Sequence, residues 1–272
     1  MHSYPSKILL FGEYAILHGG SGLAIPYPAF HAEVLFNQKE RGPFISYLED
    51  YLHYLQQNGF EKHLDLSRFA QDMEEGLDIT SNIPIGYGVG SSGVITAAIY
   101  DLYKKNTMDE SDLHALQLFL ASMEDHFHQK SSGLDPLVCY LHKPLLLHKH
   151  AVQITDSDTD YFPFHLYDTG KMRHTQEFVS IFHEKMRDLN YTSAIMERFH
   201  SLTEICISSL LKKNRETFYS ALKELSAFQL EYFTFAIPES VQSIWKEKWD
   251  AGTSYFKLCG AGGGGFMLEF TI

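Results

Sequence analysis

The sequence predicts an α+β protein built in two parts, on three observations. Apolar runs of strand length open the chain and recur at Pro144–Lys149 and Phe164–Tyr167, while helical apolar stripes fill the middle and most of the C-terminal half. An acidic, turn-rich linker, Asp156–Tyr161, separates the halves. At 272 residues there is room for one large domain or two modest ones, and the linker favours two, 1–155 and 156–272.

Each element has its own signal. Lys7–Phe11 (KILLF) reads as a buried strand ending in Gly12 and Glu13. Gly19, Gly20 and Gly22 mark a turn, and Leu23–Phe36 is a second strand region, interrupted by Pro26 and Pro28. Pro43–Asn58 sets Phe44, Ile45, Leu48, Tyr51, Leu52 and Leu55 on one helix face. Leu77–Asn82 then delivers the chain as a short strand into Pro84–Val94, PIGYGVGSSGV, which feeds the helix-compatible run Ile95–Tyr103.

That glycine segment has two readings. Gly86, Gly88, Gly90 and Gly93 free the backbone to approach a ligand, and Ser91 and Ser92 fall where a helix begins, Ser91 as its cap. Unpartnered N–H groups and the macrodipole at a helix start form a phosphate cradle, and hydroxyls there could reach a phosphate-bound Mg²⁺. A purely structural turn explains the segment equally well on its own. No lysine follows the last glycine as in a Walker A loop, and GYGVGSSG does not fit GxGxxG.

Leu113–Phe127 is helical by periodicity. In the following SSGLDP, Gly133 breaks the pattern and Pro136 is expected to stop any helix through Asp135, leaving that acid on a short turn projecting into a cleft. Helical stretches follow at Thr175–Leu189, Thr192–Lys212, Arg215–Phe233 and Glu239–Ala251, with stripes suited to packing on a sheet. Lys257–Phe266, KLCGAGGGGF, puts five glycines within six positions, a loop pressed against a ligand or another backbone, and Phe266–Ile272 is the closing strand.

Composition narrows the partners. A net charge of −12, from 34 acids against 22 Lys plus Arg, argues against nucleic acid. No apolar run reaches the roughly 18 residues of a membrane span, and the N-terminus lacks a signal-peptide layout, so a soluble cytosolic protein is expected. Cys139, Cys206 and Cys259 read as buried free thiols. His126 and His128, two apart, point to different sides of a helix and do not suggest a metal site.

Three segments in order, KILLFGEYAILHG, PIGYGVGSSGV and KLCGAGGGGF, resemble the signature motifs of the GHMP kinase superfamily, which comprises galactokinase, homoserine kinase, mevalonate kinase and phosphomevalonate kinase. DTGKMRHTQEFV, Asp168–Val179, resembles the DTGxxxxT segment of the mevalonate kinase branch, and SSGLDP is similar to its PSGxDN stretch. Tyr14 stands where that branch often has His, Ser131 where it has Pro, Pro136 where it has Asn, and Cys259 where it has Thr.

The resemblance implies an N-terminal domain like ribosomal-protein S5 domain 2 and a C-terminal ferredoxin-like domain. It implies ATP and Mg²⁺, with Gly86, Gly88, Gly90, Ser91, Ser92, Gly262 and Gly263 around the nucleotide, and Ser92 and Glu124 on the metal. Asp135 would accept or orient the acceptor hydroxyl with Lys7 beside it, while Glu13, His18, Arg173 and Thr175 would serve the acceptor. The acceptor indicated first is mevalonate. Phosphomevalonate, a sugar, homoserine, the decarboxylase of the same branch and a non-catalytic nucleotide sensor are the rivals, and a homodimer is an assembly the sequence allows.

Overall fold

The computed structural model describes residues 2–40, 42–128, 130–149, 151–157, 161–172 and 175–272, and the side chains of 175 and 176 are left aside. Part of the expected linker, residues 158–160, lies outside the described residues. The chain forms two compact units, neither of them one continuous stretch. Unit 1 takes Met1–Ile8, Pro26–Pro84 and Val89–Lys143; unit 2 takes Leu9–Ile25, Ile85–Gly88 and Pro144–Ile272. Strands β1 (His2–Phe11) and β2 (Gly22–Leu35) each contribute to both, an arrangement that a single boundary in the sequence cannot express.

In unit 1, the far end of β2 pairs antiparallel with β3 (Asp78–Ser81), Ala32 opposite Ser81 and Leu35 opposite Asp78. Helix α1 (Ile45–Gln57) buries Leu48, Tyr51, Leu52 and Leu55, the stripe its periodicity announces, and packs on α2 (Leu66–Glu74). Helix α2 is not foreshadowed by periodicity, because its buried anchors Leu66 and Phe69 make too sparse a stripe; its start is set by Asp65, which accepts the Arg68 N–H at 3.1 Å. Helix α3 (Ser91–Tyr103) buries most of its circumference against α4 (Leu113–Glu124) and α5 (Leu134–Leu141).

Unit 2 begins with the near end of β2, where Gly22 lies opposite Leu147 of β4 (Leu145–His148), and β4 pairs in turn with β5 (Ala151–Ile154). A three-stranded antiparallel sheet follows in the order β6 (Phe164–Asp168), β8 (Phe266–Thr271), β7 (Ser254–Leu258). Asp168 lies opposite Phe266 and Leu258 opposite Met267, so the segments after β6 and after β7 leave the sheet at the same end.

The helices of unit 2 are α6 (Thr175–Lys185), α7 (Leu189–Ser193), a π-helical stretch Ala194–Phe199 that runs directly into α8 (His200–Leu211), α9 (Arg215–Tyr232) and α10 (Glu239–Ala251). Helices α9 and α10 pack on β7. The buried Trp245 ring stacks on Phe256 at 5.7 Å, and its N–H donates to Ser226 Oγ at 2.8 Å, which satisfies the polar edge of an otherwise apolar core.

Two expectations need adjustment. Strand β1 starts at His2, ahead of the apolar run, and β2 continues unbroken through Pro26 and Pro28. The pairings with β4 and β3 fall on either side of the prolines, so their missing N–H groups interrupt neither. Cys139, Cys206 and Cys259 are buried and form no disulfide among the described residues, as read. Among the described residues no helix is long and apolar enough to cross a membrane.

Candidate functional site

The chemistry of unit 1 gathers where β1, the start of α3, the end of α4 and the start of α5 meet. Lys7, on β1, reaches Asp135 with Nζ 2.8 Å from Oδ2; the lysine side chain is 7% exposed and the aspartate 32%. The Lys7 N–H donates to Val89 O at 3.3 Å, which draws the end of the glycine segment alongside the strand. Gly90, at φ +83°, caps α3 here, and a Cβ on it would stand 3.0 Å from Lys7 Cγ.

Asp135 is not on a free turn. It lies in the first turn of α5, and Pro136 follows without ending the helix, because first-turn N–H groups have no helical partner to lose. Gly133 makes the turn at φ +69°, where a Cβ would come within 2.1 Å of Gln117 O. The start of α5 is favourable ground for a carboxylate through the helix macrodipole. Gly93 completes the fit from the other side: a Cβ there would meet Asp135 Cβ at 2.9 Å and Pro136 N at 3.0 Å, so α3 and α5 approach this closely only over glycine.

Glu124, the last residue of α4, is 3% exposed and held at both oxygens. Ser92 Oγ donates to Oε1 at 2.8 Å and Ser131 Oγ donates to Oε2 at 2.5 Å, while Ser131 Oγ also accepts the Gly133 N–H at 2.9 Å. Ser131 is itself placed by Asp125, whose Oδ1 accepts its N–H at 2.6 Å. Burial, and then the charge of Asp135, push the Glu124 carboxyl up to about 7, against the two hydroxyls and Lys7, which favour its ionised form. His128 Nε2 lies 3.0 Å from Ser92 Oγ.

The first amide of α3 with a partner from the cap is that of Val94, donating to Gly90 O at 3.0 Å. The N–H groups of Ser91, Ser92 and Gly93 therefore have no partner inside the helix, the arrangement that receives anions. Ser91 is not the cap expected of it. Gly90 takes that position without any side-chain bond, because α3 begins at Ser91 itself, one residue earlier than a Ser91 cap requires.

The remaining candidates belong to unit 2. Glu13 is buried and ion-paired with Lys257, which is buried with it. His18 packs its ring on Phe182 and His183, and burial, followed by the charge of His183, lowers its pKa. Gly86 and Gly88 both take positive φ, and Gly86 faces the Met172 side chain. Gly262 lies against the Ala236 carbonyl, and Gly263 against the Phe178 ring with its N–H donated to Ala236 O at 2.6 Å. Thr175 opens α6, but its side chain, and all of Arg173, lie outside the described residues.

Lys7, Ser92, Glu124 and Asp135 are thus brought together, with Gly90 and Gly93 as the spacers that permit it. Sequence reasoning missed Ser131 and His128 as members. Ser131 had a signal in SSGLDP, a hydroxyl a few residues from both carboxylates; His128 had none, since its place depends on the turn after α4.

Known proteins resemble this chain along nearly its whole length. Residues 48–143 match the GHMP kinases N terminal domain. Mevalonate kinase of Pyrococcus horikoshii is 24% identical over 97% of this chain and 86% of its own length. The solved mevalonate kinase of L. major, in complex with R-mevalonate, superposes with a TM-score of 0.67 at 16% identity, covering 99% of this chain and 86% of that one. The enzyme of Methanococcus jannaschii gives 0.66 at 17%, covering 100% and 90%. The domain match thus falls over the elements that carry Ser92, Glu124 and Asp135, and the likeness to mevalonate kinases runs along nearly the whole length of the chain.

Proposed function

We propose that this chain is an ATP- and Mg²⁺-dependent kinase that phosphorylates the hydroxyl of a small alcohol, mevalonate being the first acceptor to test. The observation that carries the reading is the Lys7–Asp135 ion pair set beside the open α3 N-terminus and the Ser92–Glu124 pair. Phosphoryl transfer asks for positioning, charge neutralisation and a place for the hydroxyl proton, and these residues answer each need.

The donors fit Mg²⁺. Among the described residues no three His, Cys, Asp or Glu side chains are grouped to hold a metal by themselves. Mg²⁺ commonly takes only one or two protein oxygens, the rest being water and phosphate, so Ser92 and Glu124 suffice. The raised Glu124 carboxyl marks a buried oxygen site short of positive charge. Bound Mg·ATP supplies the phosphoryl group and neutralises its charge.

The protein's own part follows. The α3 amides and Ser91 orient the phosphates, and Gly86 and Gly88 are assigned to the nucleotide on the strength of their motif. Lys7 engages Asp135 at Oδ2, and we assign Oδ1 to the acceptor hydroxyl, whose proton it orients or takes as the oxygen attacks. Lys7 also stabilises negative charge as it develops. Glu13, His18, Gly262, Gly263, Arg173 and Thr175 are assigned to the acceptor and nucleotide surroundings on the strength of their motifs. The mevalonate acceptor is drawn from the relatives' substrate.

The experiment is ADP release from Mg·ATP against mevalonate, phosphomevalonate, mevalonate diphosphate, galactose and homoserine. Release that depends on mevalonate supports the full reading. Release with another acceptor alone keeps the reaction and replaces the substrate, and ATP binding with no acceptor-dependent release supports a nucleotide sensor instead.

A further inference from the structure

Glu13 and Tyr14 follow β1 directly, and within unit 2 they take hold of neighbouring parts of the Gly260–Gly265 segment. The Glu13 carboxylate accepts Lys257 Nζ, at the base of that segment, and the nearby Gly260 amide favours its ionised form. Lys257 donates further to Leu258 O at 2.5 Å and sits over the Phe11 ring at 5.1 Å. Tyr14 donates its hydroxyl to Ala261 O at 2.5 Å.

Both contacts are made at a cost. A fully buried ion pair contributes little net stability, because desolvation offsets most of its attraction, so stability alone does not account for the pair. Tyr14 stands at φ +59°, a conformation strained for a bulky side chain by about 1–3 kcal/mol. It is held there by its ring, at 4.6 Å from Phe182 and stacked at 5.1 Å and 11° on Phe233, and by the hydroxyl on Ala261. Strain that persists because its surroundings fix it points to a task for the residue.

The far end of the segment is tied as well. The Gly265 N–H donates to Lys171 O at 2.6 Å, and Gly265 O accepts the Thr169 N–H at 3.1 Å and its hydroxyl at 2.8 Å. A glycine-rich loop is the part of a chain that loses most conformational freedom when ordered. Here that loss is met on folding, before any ligand arrives.

We infer that Glu13 and Tyr14 are positioning residues that pre-form the Gly260–Gly265 loop for phosphoryl transfer, acting through the loop and not on the reacting atoms. This rests on the kinase reading above. Glu13 thereby acquires a different task from direct acceptor contact, and Tyr14 is the chain's own solution at a position where its relatives' motif often carries His.

The test pairs hydrogen exchange over 259–266 with steady-state kinetics in Tyr14→Phe and in Glu13→Gln/Lys257→Met. The double variant removes both buried charges, since Glu13→Gln alone would strand Lys257 and risk misfolding. The expected result is exchange over 259–266 faster by about tenfold or more, melting temperature within a few degrees of wild type, and kcat lower by about tenfold with the KM for ATP within twofold. Unchanged exchange in both folded variants overturns the inference, and so does exchange that accelerates across all of unit 2. Because the exchange measurement needs no turnover, inactivity of the wild type toward every acceptor would count against the kinase reading alone.

Discussion

Lys7 Nζ and Asp135 Oδ2 lie 2.8 Å apart, joining the first strand to the first turn of α5. The lysine arrives on a rigid strand and the aspartate on a helix start fixed by Gly133 on one side and Gly93 on the other. Neither side chain depends on a loose loop for its position, which is how a proton acceptor is kept within reach of a hydroxyl.

On the proposed mechanism, Lys7→Met should lower kcat by about 10²-fold or more while leaving ATP affinity within a few-fold, since its charge is assigned to the reacting centre and the α3 amides remain. Steady-state kinetics beside a nucleotide titration check this. Equal loss of kcat and of ATP affinity would place Lys7 on the nucleotide instead.

Glu124 makes stability depend on pH. Its folded-state carboxyl is raised from 4.5 to about 7, so its contribution to stability is present below the unfolded value and is lost as pH rises through about 7. Relative to Glu124→Gln, metal-free wild type should lose roughly 2–3 kcal/mol between about pH 4.5 and pH 8. Urea unfolding of both proteins at the two pH values gives the comparison, and a difference independent of pH contradicts the prediction. Mg²⁺ should stabilise wild type at pH 8 and leave the variant unchanged.

Ser131→Ala strips one partner from the Glu124 carboxylate and one from the Gly133 N–H. It should destabilise by about 1–3 kcal/mol and raise the Mg²⁺ concentration needed for half-maximal rate by about tenfold. Ser131→Thr, which keeps the hydroxyl, should recover most of both effects; a threonine variant no better than alanine argues against the hydroxyl's role.

Gly93→Ala inserts a methyl group where 2.9 Å separates the Cβ position from Asp135 Cβ. Overpacking of this kind costs about 1–3 kcal/mol, and α5 should shift with it. Turnover is expected to fall more steeply than stability. Full turnover in a stable variant would show that the position of α5 tolerates movement.

Much of this site was legible because its parts are local. PIGYGVGSSGV announces a loop entering a helix, and Lys7, Ser92 and Asp135 fall in recognisable motifs, with Glu124 placed by its spacing ahead of Asp135. What stayed hidden depends on tertiary packing. The α5 helix escaped notice because Pro136 reads as a stop when the position of the helix start is unknown. Helix α2 lacks a full apolar stripe, and the strand content of Ser254–Leu258 is masked by the glycines that follow it. The crowding of Gly262–Gly265 against Ala236, Phe178, Lys171 and Tyr87 could be foreseen as close packing, though not its partners.

Asp135→Asn bears on the proposal that Asp135, held by Lys7, serves the acceptor hydroxyl in phosphoryl transfer. ADP release with Mg·ATP and mevalonate should be measured beside ATP binding in the same preparation. Acceptor-dependent turnover should fall by about 10²–10⁴-fold while ATP binding stays within a few-fold of wild type. Near-normal turnover in a folded Asp135→Asn protein would contradict it.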